Sequence, residues 1–181
     1  VEGKEVTGKD LSKVVSKIKG EKGTTVELTV LRGENAKEVT VTATRDTVQA
    51  QTIEYKLMDD KIGYIRVSEF DTVTYDQYEE ALDDLEKQGM TGLVVDLRNN
   101  PGGSLSTVCD MLDLMLPKGL IVYTEDKDGK KTEMKSDEEH HFTKPLAVLV
   151  NGNSASASEI YSGAIQDYGI GKIVGTQTYG K

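Results

Sequence analysis

One segment of the chain contains three serines and a glutamate and could carry nucleophilic chemistry. It follows an apolar run typical of a buried strand and reads Asn151-Gly-Asn-Ser-Ala-Ser-Ala-Ser-Glu159. The spacing of Ser156 and Glu159 predicts a capping box at the start of a helix. A serine there would also lie beside free N–H groups and a positive dipole end, which stabilise an oxyanion. The spacing alone leaves both interpretations of Ser156 open, an N-cap and a nucleophile. Ser154 and Ser158 share the helical face nearly opposite to it, so only one of the three serines fits the nucleophile.

A serine nucleophile needs a base, and the sequence offers two kinds. His140 and His141 are adjacent in a charged stretch, which favours a solvated loop over a catalytic triad. Lys181 follows a short apolar run and Tyr179-Gly180. Burial could lower a lysine pKa from ~10.4 toward ~7–8, where the amine can act as a base. A plain surface lysine is the alternative for Lys181.

A glycine-rich loop, Asp96-Leu-Arg-Asn-Asn-Pro-Gly-Gly103, directly follows another apolar strand. Proteins of the α/β class place ligands at such strand ends. The N–H of Gly102 or Gly103 could serve as an oxyanion donor, and an ordinary strand-to-helix turn is the alternative. The loop lacks the Gly-Lys-Ser/Thr ending of a P-loop, which argues against a phosphate site. Asp96 and Arg98 are expected to form an ion pair that braces the loop.

The elements that must position these residues begin with a small N-terminal unit. An apolar stripe over residues 11–18 predicts a helix with Asp10 as its N-cap. Alternating patterns predict strands over residues 25–31 and 38–43, joined by a turn at 33–35. Residues 46–60 are polar and weakly patterned, and we interpret them as a linker with one or two short strands.

From residue 61 onward, strand patterns alternate with helix patterns, which indicates an α/β layer fold with crossover connections. Thr74 and Gln77 predict a capping box at the start of the first of these helices. The strands are predicted over residues 62–67, 93–97, 120–124, 131–134, 146–150 and 172–175, and the helices over 75–85, 105–115 and 156–167.

Composition excludes several function classes. The chain has 181 residues, with 22 Lys and Arg against 31 Asp and Glu, giving a net charge of −9. This acidic balance argues against nucleic acid as a partner, because phosphate neutralisation needs a basic surface. No run of about 18 apolar residues is present to span a membrane. The sequence has one cysteine and no compact cluster of metal-ligating residues, so we expect neither a metal nor an internal disulfide.

Together, the segments 96–103, 154–159 and 178–181 resemble, in this order, motifs of the carboxyl-terminal processing peptidases, also called tail-specific proteases. Residues 1–45 look like the second half of that family's PDZ domain. Residues 61–181 look like its protease core, which is related to the Clp protease and crotonase fold with its β-β-α units.

The resemblance implies a Ser/Lys dyad, with Ser156 as the nucleophile and Lys181 as the general base. It also implies an oxyanion hole built from the N–H of Ala157 and that of Gly102 or Gly103. The same match implies that Asp96, Arg98 and Glu159 support the site. It also implies that Leu11, Val14 and Val15 on the PDZ helix bind a peptide. Core packing is the alternative for the residues of the PDZ helix.

The implied activity is that of a serine endopeptidase that cleaves polypeptides near apolar C-terminal tails, without a metal or cofactor. The resemblance implies an extracytoplasmic, periplasmic or membrane-anchored parent protein, and homo-oligomerisation stays open. The family places a Gln four residues beyond the matching lysine, so we expect the 181-residue chain to be an excised fragment with little or no activity alone. Two alternatives remain, a non-catalytic peptide-binding scaffold and a crotonase-like enzyme acting on acyl thioesters.

Overall fold

The computed structural model describes residues 1–33, 35–137 and 141–181. The chain forms two compact units, Val1–Gln49 and Ala50–Lys181. The turn predicted at 33–35 lies partly outside the described residues, and His140 lies wholly outside them.

The first unit contains one helix and one antiparallel ribbon. Helix α1 spans Leu11–Ile18, and strands β1 (Thr25–Arg32) and β2 (Lys37–Thr44) pair along their whole length. The Asp10 carboxylate accepts hydrogen bonds from the N–H groups of Ser12 and Lys13, at 3.0 and 3.3 Å. This confirms Asp10 as the predicted N-cap, because the carboxylate satisfies donors that have no partner inside the helix.

The second unit is an α/β layer. Its strands are β3 (Ile53–Leu57), β4 (Ile62–Val67), β5 (Gly92–Asp96), β6 (Gly119–Glu125), β7 (Lys131–Ser136), β8 (Leu146–Val150) and β9 (Lys172–Gly175). Five of them form one sheet in the order β3-β4-β5-β8-β9, in which β3 runs antiparallel to β4 and the others are parallel, while β6 and β7 form a separate hairpin. The helices are α2 (Thr74–Lys87), α3 (Leu105–Asp113) and α4 (Ala157–Asp167). The structure thus confirms the α/β class and the predicted alternation.

The parallel strands step in one direction across the sheet, so right-handed crossovers place α2, α3 and α4 on one face. That face holds the core, in which alternate residues of β4, β5 and β8 are buried against the helices. Tyr78 of α2 and Tyr161 of α4 are fully buried, and their hydroxyls bond to each other at 2.8 Å. The loops that leave the carboxyl ends of β4, β5, β8 and β9 therefore meet at one edge of the sheet, and the predicted site residues of this unit lie there.

The range 46–60 contains β3, a short strand as expected there, which pairs with β4 at the sheet edge. The second compact unit begins within this range, at Ala50. The capping box predicted for Thr74 and Gln77 is wrong, because the N-cap of α2 is Val73. The Gln77 side chain instead accepts the N–H of Thr52, and Thr74 bonds the Thr52 hydroxyl. Contacts with the chain just before β3 thus replace the local cap.

Within the described ranges, no helix combines the length and apolar character needed to cross a membrane.

Candidate active site

Ser156 is less buried than its two serine neighbours, whose hydroxyls both bond to the loop after β5. Ser154 is fully buried and donates its hydroxyl to the carbonyl of Leu97 at 2.7 Å. Ser158 is also fully buried and donates to the carbonyl of Asn100 at 3.0 Å. Ser154 precedes helix α4, so the predicted shared helical face is wrong, although both hydroxyls anchor the loop after β5. Ser156 is half-buried, which leaves it reachable from solvent.

The backbone of Ser156 is strained in a way that secondary structure does not require. Its φ is 55° and its ψ is −114°, which is an unfavourable combination for a residue with a Cβ. Such a conformation costs about 1–3 kcal/mol and persists only when the surrounding structure enforces it. Ser156 occupies the N-cap of α4, so the first free N–H of the helix, that of Ala157, lies directly beside it.

The glycine pair of the loop after β5 packs directly against this helix start. A Cβ added to Gly102 would lie 2.8 Å from the Cβ of Ser156 and 3.0 Å from the N of Ala157. Gly103 faces the other way, and a Cβ there would lie 2.2 Å from the carbonyl oxygen of Phe70. Both glycines have positive φ, at 105° and 143°. Only glycine combines these backbone angles with so close an approach.

Asp96 and Arg98 form the ion pair that the sequence predicts. The carboxylate of Asp96 is almost fully buried and accepts hydrogen bonds from Arg98 Nη2 at 2.6 Å and from the Tyr64 hydroxyl at 2.7 Å. Burial raises the pKa of Asp96, but the hydrogen bonds from Arg98 and Tyr64 outweigh it, so the pKa lies below its usual value. The pair anchors the start of the glycine-rich loop to the neighbouring strand.

Glu159 connects the start of helix α4 to the end of the chain. Its carboxylate accepts the N–H of Ser156 at 2.9 Å, which is the glutamate half of the predicted capping box. It also accepts the N–H of Gly180 at 2.6 Å and that of Lys181 at 2.9 Å. Burial raises the pKa of Glu159, but these N–H groups and the Thr178 side chain outweigh it and lower the pKa to about 2.

This carboxylate brings the backbones of Ser156 and Lys181 together. The same oxygen, Glu159 Oε2, accepts an N–H from each residue at 2.9 Å. The two backbone nitrogens therefore lie within twice that distance of each other. Lys181 itself is exposed, so the burial expected of a lysine base is not seen here. The structure thus brings the backbones of the predicted nucleophile and the predicted base close together, although the two residues are 25 positions apart in the sequence.

Sequence reasoning missed the asparagines that join the loops after β5 and β8. Asn99 donates its N–H to the side chain of Asn151, and the side-chain amides of Asn151 and Asn153 both donate to Asn99, each at 3.0 Å. Asn100 is fully buried and bonds to the ends of two strands. The only sequence signal was that both loops are rich in asparagine, and periodicity does not report contacts between loops.

Two other groups of candidate residues lie elsewhere. His141 is exposed in a groove beside Leu82 and Phe142. Within the part of the chain that the structure describes, no group of three or more His, Cys, Asp or Glu residues could hold a metal ion. In the first unit, Leu11 is 76% exposed and Val14 and Val15 are half-buried, so this face of α1 is open to solvent.

Comparison with known proteins identifies relatives of the whole chain. The carboxy-terminal processing protease CtpA of Bacillus subtilis is 37% identical over 182 residues, which cover 100% of this chain and 39% of that protein. A carboxyl-terminal-processing protease of Synechocystis is 36% identical over 100% of this chain and 43% of its own length. The structure resembles that of a photosystem II D1 C-terminal processing protease, with a TM-score of 0.67 and 30% identity over 99% of this chain and 50% of that one.

The chain thus spans about two-fifths of the length of these two curated relatives. Residues 61–181, which include the glycine pair, Ser156, Glu159 and Lys181, match peptidase family S41. The chain belongs to peptidase family S41.

Proposed function

We propose that the complete protein is a serine endopeptidase in which Ser156 is the nucleophile and Lys181 is the general base. One observation carries the proposal. Ser156 is the serine of its segment that is neither fully buried nor tied to the loop after β5, and it sits in a strained N-cap beside a free helix N–H and a glycine pair. This is the setting in which an attacking hydroxyl and an oxyanion donor act on the same carbonyl.

The reaction is acyl transfer to Ser156. The Lys181 amine, which must be unprotonated for this step, takes the hydroxyl proton while the oxygen attacks the peptide carbonyl and forms a tetrahedral intermediate. The protonated lysine then gives its proton to the leaving amine, and the C–N bond breaks. A water molecule, deprotonated by the same lysine, attacks the ester and releases the new carboxyl end together with free Ser156.

The oxyanion hole consists of the N–H groups of Ala157 and Gly103. The N–H of Gly102 already donates to the side chain of Asn100 at 2.9 Å. The carbonyl of Gly102 accepts the N–H of Phe70 at 2.9 Å, and the peptide to Gly103 is trans, so the Gly103 N–H points away from Phe70. Within the described ranges, neither Gly103 N–H nor Ala157 N–H has a hydrogen-bond acceptor.

Glu159 and the ion pair of Asp96 and Arg98 support this site by holding backbone segments in place. Glu159 fixes Lys181 beside the start of helix α4. The ion pair fixes the loop that carries the glycine pair. None of these three side chains needs to exchange a proton during the reaction, since the pKa values of both carboxyls lie below their usual values and their carboxylates stay ionised.

The proposed substrates are polypeptides with exposed, apolar C-terminal tails. Two relatives carry carboxyl-terminal processing in their names. In the proposed partial PDZ domain of residues 1–45, the open face of α1 with Leu11, Val14 and Val15 would line a groove where a peptide adds as a strand. By the same family likeness we place the complete protein outside the cytoplasm, and we expect the reaction to use no metal or cofactor.

Substitution of the dyad in the complete protein tests this function. Ser156→Ala and Lys181→Ala should each abolish cleavage of an unstructured peptide with an apolar C-terminus. Ser162→Ala, which removes a buried hydroxyl in α4 six positions beyond Ser156, should retain it. Near-full turnover by either dyad variant would contradict the assignment. Binding of a coenzyme A ester without proteolysis would favour a crotonase-like enzyme, and peptide binding without any acyl-enzyme would favour a scaffold.

A further inference from the structure

We propose that Asn100 is a positioning residue for peptide cleavage, which orients the glycine pair so that Gly103, not Gly102, presents its N–H to the oxyanion. The inference rests on the proposed peptidase function and adds to it a residue that forms no part of the dyad or of the oxyanion hole.

The side chain of Asn100 is fully buried and uses both ends of its amide. Its Nδ2 donates to the carbonyl of Val67, the last residue of β4, at 2.9 Å. Its Oδ1 accepts the N–H of Gly102 at 2.9 Å. One side chain therefore ties the glycine pair to the end of a core strand, and the donor and acceptor must be arranged as in an amide.

The main chain of Asn100 reaches the helix that carries the nucleophile. Its carbonyl accepts the N–H of Ala155 at 3.1 Å and the hydroxyl of Ser158 at 3.0 Å. These two residues flank Ser156 and Ala157. Asn100 thus connects both backbone segments that form the proposed oxyanion hole, through contacts that involve neither of the two proposed donors.

The side-chain contact has a direct consequence for the choice of donor. Gly102 N–H is occupied by Asn100, and Gly102 C=O is occupied by Phe70, so the peptide plane that leads to Gly103 is fixed on both sides. Released from Asn100, Gly102 could turn its own N–H toward Ser156, and the Gly103 N–H would leave its place. The loss of one aligned oxyanion donor lowers kcat by about 10²–10³-fold in other serine peptidases.

Asn100→Asp and Asn100→Ser separate this role from general stabilisation. Aspartate keeps an acceptor for Gly102 but places a second oxygen against the Val67 carbonyl. Serine is too short to bridge both groups. Ser162→Ala is the matched control, because it also removes a buried hydrogen bond, at 2.9 Å, but one turn away in α4.

The experiment measures kcat and KM for peptide cleavage by the complete protein. Each rate is divided by the number of sites that a fluorophosphonate probe can label, so that unfolded molecules do not count. We expect both Asn100 variants to lose about 10–100-fold in kcat per labelled site with KM within about twofold, whereas Ser162→Ala keeps both values. A kcat per labelled site within about twofold of the unmodified protein would overturn the proposal. If Ser156→Ala still cleaved the peptide, the proposed function itself would fail instead.

A structure of the unmodified protein with a peptide aldehyde bound to Ser156 tests the same point without any variant. We expect the hemiacetal oxygen to lie within hydrogen-bond distance of the nitrogens of Gly103 and Ala157, with Asn100 still bound to Gly102. A hemiacetal oxygen bound by the Gly102 nitrogen, with the Asn100 contact broken, would overturn the proposal even if the Asn100 variants failed to fold.

Discussion

Replacing Glu159 by Gln should loosen the segment that carries Lys181 and slow catalysis. In the structure the Glu159 carboxylate accepts three backbone N–H groups, from Ser156, Gly180 and Lys181. The glutamine amide keeps only one acceptor oxygen. Its NH₂ group would then face the N–H groups of Ser156 and Lys181, which Oε2 accepts in the unmodified protein. The helix start and the chain end would therefore no longer share a common acceptor.

The size of the effect follows from these contacts. A hydrogen bond to a charged group contributes about 1.5–3 kcal/mol, and partial solvent exposure reduces this. We therefore expect a loss of about 1–2 kcal/mol, which corresponds to about 5–30-fold faster amide exchange at residues 180 and 181. Because Lys181 would be held less firmly beside Ser156, kcat should fall by about tenfold or more, with little change in KM.

The assay is hydrogen–deuterium exchange of the peptide that contains Gly180 and Lys181, combined with cleavage kinetics of the complete protein. Glu80→Gln on the exposed surface of α2 is the control for the lost charge and should leave both unchanged. The pKa of Glu159 is depressed from 4.5 to about 2, so its stabilisation is complete above about pH 4.5 and is lost as the pH falls through 2. The ratio of exchange rates between variant and unmodified protein should shrink over that range. Unchanged exchange and kcat in Glu159→Gln at pH 7 would contradict this role of Glu159.

Two further predictions concern the loop after β5. Gly102→Ala should destabilise the second unit and abolish cleavage, because its Cβ would lie 2.7 Å from the Ala155 carbonyl oxygen at a φ of 105°. The control is Gly163→Ala in α4, where a Cβ meets nothing within 4 Å. This variant should instead raise the free energy of unfolding in urea by about 0.5–1 kcal/mol. Arg98→Gln should destabilise the protein at pH 7, and because the pKa of Asp96 is depressed, the difference from the unmodified protein should diminish as the pH falls below the ordinary aspartate value of 3.8. An equal difference at pH 7 and pH 3, measured by thermal unfolding, would contradict the role of the ion pair.

The helices and strands were predictable from sequence because burial of one face makes apolar residues recur at the spacing of that element. Strands β4, β5 and β8 are covered by helices on one face, and helix α3 keeps an apolar stripe toward the same core. The candidate site was predictable in outline for a related reason, since parallel strands all end at one edge of the sheet. The ion pair of Asp96 with Arg98 could also be anticipated, because the two residues are only two positions apart.

Contacts between distant loops were not predictable in the same way. The pairing of Asn100 with Gly102 is local, but its link to Val67 joins residues 33 positions apart. The capping box at Thr74 failed because Thr52, 22 positions away, competes for the same side chain. No periodic pattern records which of several possible hydrogen-bond partners a polar side chain takes. For the same reason the choice between Gly102 and Gly103 needed the three-dimensional arrangement.

The role of Ser156 as the nucleophile can be tested by locating a covalent adduct on its hydroxyl. The complete protein is treated with a fluorophosphonate and digested, and the modified residue is identified by mass spectrometry. We predict a single adduct on Ser156, lost in Ser156→Ala and strongly slowed in Lys181→Ala. An adduct on a different serine, or peptide cleavage that persists in Ser156→Ala, would contradict the role of Ser156 as the nucleophile.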